Sequence, residues 1–180
     1  MTKTVKLKGD RIAEVKPLTA RDFFEFNEQA QKLGASAASL GLFLKAVTVN
    51  GEPVTPENIN QLLRFRDRLK VDAFVFKVDG EPKINDGADQ FFDSEDFTLP
   101  DGRRIEVLDP DGSLYDSYVA TQGKSYSKAL ALAFKGLFTI DGKPLDDQAL
   151  DTLYPEGLGF EAAALLLPYL VSFFQPSQAP

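Results

Sequence analysis

A six-residue turn sequence occurs twice in this chain of 180 residues. VNGEPV spans 49–54 and IDGKPL spans 140–145, which are 91 residues apart. Farther towards the amino terminus the best match shifts to an offset of 93, at which Ile12 corresponds to Ile105. A difference of two residues is what a loop insertion in one copy would produce. The repeat therefore predicts an ancestral duplication and two similar modules in place of one large core.

Each copy has the sequence pattern of a β-hairpin followed by helices. Residues 4–15 and 97–108 hold short alternating apolar runs around a Gly-Asp or Asp-Gly pair, which is typical of a hairpin. Residues 40–47 and 130–138 have apolar residues at the spacing of an amphipathic helix. We therefore predict an α+β fold of two similar tandem modules, each a β-hairpin followed by three to four helices.

The stretch 71–78 is ambiguous, because its β-branched and aromatic residues suit a strand as well as a helix. We favour a helix, since the matching segment 160–174 is rich in Ala and Leu.

A run of acidic residues separates the two copies. Six acidic residues and no Lys or Arg occur from Ile84 to Gly102. The predicted domains are a first module at 1–80, an acidic linker at 81–96 and a second module at 97–175.

The composition excludes several classes of chemistry. The chain has no His, Cys or Trp, and it has 27 Asp and Glu against 20 Lys and Arg. It can therefore build neither a Ser–His–Asp triad, a thiolate nucleophile nor the usual zinc site. Carboxylate pairs such as Asp146 and Asp147 stand at turns or helix starts, where Asp caps backbone amides. We expect no enzyme, metal or cofactor; the enzymatic alternative is a glycosidase using carboxylates alone, which would lack a Trp platform for sugar.

The chain also lacks the pattern of a membrane or nucleic-acid binder. Its first residues are polar, and its longest apolar run, 162–174, is interrupted by Pro168 and is shorter than the roughly 20 residues that a bilayer requires. A net charge of −7 disfavours non-specific contact with phosphates. We expect a soluble cytoplasmic protein with protein partners, no nucleic acid and no membrane.

The apolar segment 160–174 is the first candidate for partner binding. Its apolar side chains cover nearly the whole circumference of a helix, and a module of this size rarely encloses such a helix completely. Either the two copies bury it between them, or part of it is a surface for a partner, with the Tyr169 hydroxyl in water at its edge. The candidate partner-binding residues here are Leu166, Leu170, Phe173 and Phe174.

A basic run is the second candidate. Arg64, Arg66 and Arg68 are spaced by two, which spreads them around a helix axis instead of placing them on one stripe. They form either the solvated start of a helix or a docking patch for an acidic partner.

The order of these elements resembles the tail assembly chaperones of tailed bacteriophages, especially the small tail-assembly proteins of contractile-tailed phages. The matching stretches in the first copy are RIAEVKPLTARDF (11–23) and TVNGEPV (48–54). Those in the second copy are RRIEVLDPDGSLYD (103–116) and TIDGKPL (139–145). Family members usually hold one such unit, and the second copy here has Asp-Gly-Ser in place of Thr-Ala-Arg.

The resemblance implies a non-catalytic role in tail morphogenesis in the host cytoplasm. Such proteins bind the hydrophobic helical tape measure protein transiently while tube subunits polymerise around it. The alternative is a permanent structural component of the tail or baseplate.

Overall fold

The computed structural model describes residues 2–85 and 94–174 and confirms the α+β class. The described residues form helices and two antiparallel sheets, each of which contains a β-hairpin. None of the helices in this part of the chain is long and apolar enough to span a bilayer.

The first sheet has four strands in the order β1-β2-β3-β4. The elements up to the end of the first copy are β1 (Lys3–Lys6), β2 (Ile12–Val15), α1 (Ala20–Leu33), α2 (Ala35–Ala46), β3 (Val47–Val49), β4 (Glu52–Pro53), α3 (Ile59–Leu62) and α4 (Phe65–Val75). The ambiguous stretch after residue 70 is therefore helical as far as Val75.

The second sheet has five strands in the order β5-β6-β7-β8-β9. Its copy comprises β5 (Lys83–Ile84), β6 (Asp96–Thr98), β7 (Arg104–Val107), α5 (Gly112–Gln122), α6 (Tyr126–Leu137), β8 (Phe138–Ile140), β9 (Lys143–Pro144), α7 (Asp147–Asp151) and α8 (Phe160–Phe174). The extra strand, β5, pairs with β6.

The chain divides into two compact units whose limits differ from the predicted domains. Unit 1 consists of 1–18 and 26–77, whereas unit 2 takes Thr19–Glu25 together with the described residues from Val78 onward. The predicted linker at 81–96 is not wholly a connecting segment, because it contains β5 and the start of β6. Residues 86–93 of that linker lie outside the described residues.

The same hydrogen bonds occur at corresponding places in the two modules. They show that the predicted offset of 93 between the two hairpins is wrong. The Asn50 N–H donates to the Ile12 carbonyl at 2.8 Å, as the Asp141 N–H donates to the Arg104 carbonyl at 2.8 Å. Both turn residues have positive φ, and each side chain accepts the N–H of the same strand residue at 2.9 Å. Ile12 therefore corresponds to Arg104, an offset of 92, and the predicted match to Ile105 is wrong by one residue.

The last helices correspond at an offset of 95. Phe65 and Phe160 are the first residues of α4 and α8. An arginine from each hairpin binds the backbone just before the helix: Arg11 donates to the Leu62 carbonyl, and Arg103 donates to the Gly157 carbonyl at 2.7 Å. The buried residues of the two helices correspond as well, with Val71 and Val75 of α4 aligned to Leu166 and Leu170 of α8.

The structure corrects half of the predicted partner surface on α8. Leu166 and Leu170 are fully buried, so they are core residues of unit 2. Tyr169 is buried too, and its hydroxyl donates to the Ser94 carbonyl at 3.0 Å instead of reaching water. The reason is that unit 2 encloses the helix on more sides than a module of this size was expected to cover, with Phe97 and Phe138 packing against the Tyr169 ring at 5.6 and 5.8 Å.

We predict that Leu170→Ala lowers the free energy of unfolding by about 2–5 kcal/mol, because it leaves a cavity in a packed core. Phe173→Ala, at a residue that is 44% exposed, should cost clearly less. Chemical denaturation of both variants measures the difference, and equal losses would contradict the assignment of Leu170 to the core.

Candidate protein-binding surface

The segment Thr19–Glu25, which contains the start of α1, packs within unit 2. The helix start is fixed by a reciprocal cap: the Thr19 hydroxyl accepts the Asp22 N–H at 3.1 Å, and the Asp22 carboxylate accepts the Thr19 N–H at 2.7 Å. This arrangement satisfies two backbone donors at the helix start. The cap therefore holds the two phenylalanines that follow it in a defined orientation.

These adjacent aromatic residues fill an apolar position in unit 2. The Phe23 ring meets the Phe160 ring edge-on, with centroids 5.2 Å apart and planes at 84°. The Phe24 ring lies 4.8 Å from the Phe134 ring. Phe24 and Phe134 are fully buried, and Phe23 and Phe160 are each 7% exposed. Unit 2 thus shows how this fold binds a helix that presents two neighbouring aromatic side chains.

Ion pairs also connect the start of α1 to the rest of unit 2. The Arg21 guanidinium binds Asp151 at 2.8 Å and Asp147 at 3.0 Å, and the Lys135 ammonium binds Asp147 at 3.1 Å. The hydrogen bonds from Arg21 and then Lys135 lower the pKa of Asp147, and the hydrogen bond to Asp151 raises the pKa of Arg21. Because both carboxylates are more than half exposed, water screens these pairs, and they orient the segment more than they stabilise it.

The corresponding position in unit 1 is partly open to solvent. Phe65, the counterpart of Phe160, is 77% exposed. Phe43, which corresponds to Phe134 at the offset of 91, is buried, and the Arg68 guanidinium lies 5.7 Å from its ring centroid. In unit 1 a cation therefore lies over the ring whose counterpart in unit 2 contacts Phe24.

Phe65 belongs to a larger exposed face of α4. Leu69 follows one turn later and is 53% exposed, and Ala73, another turn along, is exposed as well. Arg66 and Lys70 are exposed beside this apolar stripe. We call these five residues the α4 surface. Apolar side chains with a basic border are typical of a surface that binds another protein.

The predicted arginines do not all lie on this surface. Arg66 does, whereas Arg64 precedes the first turn of α4 and is exposed there. Arg68, which follows Phe65 by three residues on the same helix, lies over the Phe43 ring, with its guanidinium 4.0 Å from the Asp72 carboxylate. Burial raises the pKa of Asp72, and the nearby charge of Arg68 opposes that rise.

Phe65 and Leu69 were not predicted as binding residues. A signal was available, since their spacing of four places them on a face away from the buried Val71 and Val75.

A second exposed apolar region lies in unit 2. Tyr115 and Val119 are each 48% exposed on α5, and Asp116 is exposed beside them. We call these three residues the α5 surface. The predicted residue Phe174 lies next to it, since its ring stacks on Tyr118 at 4.3 Å and on Tyr115 at 6.0 Å. The half-exposed Phe173, which meets Phe174 edge-on, adds to the apolar area here.

No group of three or more acidic side chains in residues 2–85 and 94–174 is arranged to hold a metal ion. Comparisons with protein-family models, with curated protein sequences and with solved structures found no match to this chain.

We predict that replacing phenylalanine by alanine changes the free energy of unfolding much more at Phe160 than at its counterpart Phe65. Phe160→Ala should lower the free energy of unfolding by about 3–5 kcal/mol, because it removes the partner of Phe23. Phe65→Ala should change it by about 0.5 kcal/mol or less, because the ring is largely in water. Thermal and chemical denaturation test this contrast, and a large loss in Phe65→Ala would show that the ring is covered.

We also predict an acid dependence from Asp147. A carboxyl whose pKa is lower in the folded state stabilises that state above its unfolded pKa of about 3.9, and the contribution disappears as the pH falls through the folded value. The wild type should therefore exceed Asp147→Asn in stability at neutral pH and converge with it as the pH falls through the lowered folded-state pKa of Asp147. Glu156→Gln, at an exposed residue of unit 2, is the control. A stability difference that is independent of pH would contradict this role of the charge.

Proposed function

We propose that this protein is a non-catalytic assembly chaperone of bacteriophage tails. It binds hydrophobic helical segments of other tail proteins, the tape measure protein among them, in the host cytoplasm during tail morphogenesis. The resemblance of the two repeated stretches supports the tail context, and the α4 surface supports the binding of helices.

The observation that carries the proposal is the difference between the two units. Unit 2 holds a helix start with Phe23 and Phe24 against Phe160 and Phe134, whereas the corresponding Phe65 of unit 1 is in water. A fold that already binds one aromatic-bearing helix at this position can bind another at its repeat. The mode is that of an amphipathic helix on an apolar surface, with Phe65 and Leu69 as the anchors.

The size and charge of the α4 surface suit transient binding. Two large apolar side chains give few anchors, so the complex dissociates readily, as a chaperone that leaves the finished tail requires. Arg66 and Lys70 favour client helices with acidic residues beside their apolar stripe.

The test is co-expression with a phage tape measure protein, with the soluble fraction of that protein as the measurement. Wild type should raise the fraction, and a variant carrying Phe65→Asp and Leu69→Asp should lose most of the effect. Leu33→Asp is the matched control, because Leu33 is 67% exposed on α1 and outside the α4 surface.

Two results would overturn the proposal. The first is a tape measure protein whose solubility is the same with and without the wild-type chain. The second is a fixed copy number of this protein in purified virions, which would make it a structural component instead of a chaperone. Circular dichroism of the double variant, whose changes lie at exposed positions, verifies that lost binding is not lost folding.

A further inference from the structure

We infer that the α4 surface of one molecule binds the α5 surface of a second copy of this chain, so that the copies associate head to tail. The inference rests on the repeat, on the exposure of both surfaces and on their charges. It does not depend on the identity of any tail protein.

Residues of the α5 surface and the α4 surface are the repeat counterparts of residues that contact each other within unit 2. At the hairpin offset of 92, Tyr115 corresponds to Phe23 and Asp116 corresponds to Phe24. At the last-helix offset of 95, Phe65 corresponds to Phe160. The counterpart of the bound pair Phe23–Phe160 is therefore the pair Tyr115–Phe65. Both of its members face solvent, at 48% and 77% exposure.

The two residues that replace the aromatic contact at the repeat, Asp116 and Arg68, have opposite charges. In unit 2 the Phe24 ring contacts Phe134. At the repeat Phe24 is replaced by Asp116, and the ring of Phe43, the counterpart of Phe134, is faced by Arg68. An aromatic contact in one interface thus corresponds to an Asp116–Arg68 ion pair in the other. In the inferred interface Asp116 of one copy therefore faces Arg68 of the next.

The net charges of the two units also favour association of unit 1 of one copy with unit 2 of the next. Residues 1–18 and 26–77, which form unit 1, hold 12 basic and 7 acidic residues, a net charge of +5. The residues assigned to unit 2 hold 8 basic and 20 acidic residues, a net charge of −12. The attraction between the basic unit of one copy and the acidic unit of the next steers association and weakens as salt is added.

The packing of α5 within unit 2 fixes the direction in which the α5 surface faces. Leu114, on the inner side of α5, packs so closely on α6 that a Cβ at Gly136 would lie 2.6 Å from its Cδ1 atom. This contact holds α5 with Tyr115, Asp116 and Val119 facing outward. Because each copy carries both surfaces, the interface is heterologous, and it produces a closed ring or an open chain of copies.

Sedimentation velocity of the purified full chain, over a wide range of concentration and at low and high salt, tests the inference. Wild type should associate reversibly, and less so at high salt. Asp116→Arg or Arg68→Glu should each weaken association at least about tenfold. The double variant with both changes should recover it, because the two charges are exchanged. Glu156→Arg, with the same change of charge at an exposed position of unit 2, is the control.

Two apolar variants keep the test decisive if Arg68→Glu fails to fold. Phe65→Ser and Tyr115→Ser lie at exposed positions and should each abolish association while leaving the thermal transition in place. A wild type that stays monomeric at every concentration overturns the inference, and so does association that survives Phe65→Ser or Tyr115→Ser. The measurement uses the purified chain alone, so its failure would leave the co-expression test of the chaperone proposal unaffected.

Discussion

The seating of Phe23 and Phe24 on Phe160 and Phe134 is the contact on which the organisation of this chain depends. It removes four aromatic rings from water, and edge-on or tilted ring pairs add to the stabilisation from buried area. It also places Thr19–Glu25 in unit 2, although these residues belong by sequence to the first copy. The first copy therefore contributes a segment to the second unit, and its own α4 keeps an exposed face.

Much of the fold could be predicted because its signals are local. The turn at Asn50 and its counterpart at Asp141 need a residue that tolerates positive φ before a glycine, and the sequence shows that pattern twice. The short strands that precede these turns were missed. Val47–Val49 follows α2 directly and Phe138–Ile140 follows α6 directly, so neither has an alternating pattern of its own. Each becomes a strand by pairing with the distant β2 or β7.

The binding surfaces could be predicted only in part, because burial depends on what packs from elsewhere in the chain. Leu166 and Phe65 are both apolar residues of a last helix, yet one is fully buried and the other is 77% exposed. Composition around Phe65 cannot reveal this, since its counterpart Phe160 is covered by a segment of the other copy. The hairpin hydrogen bonds were needed to set the offset at 92 and so to align Tyr115 with Phe23.

The two repeated modules contain corresponding positions that differ in their properties. The aromatic contact in unit 2 is apolar and enclosed, so it persists as part of the folded chain. At the repeat, Asp116 takes the place of Phe24, and Arg68 takes the place of the buried Ala163. These two charged side chains are hydrated by water whenever the surfaces are separate. Separating an interface that includes such an ion pair costs less free energy, because water solvates the freed charges, and the cost depends on salt. Separating an all-aromatic interface costs more and is insensitive to salt. The same fold thereby supplies one permanent contact and one that a partner can make and release.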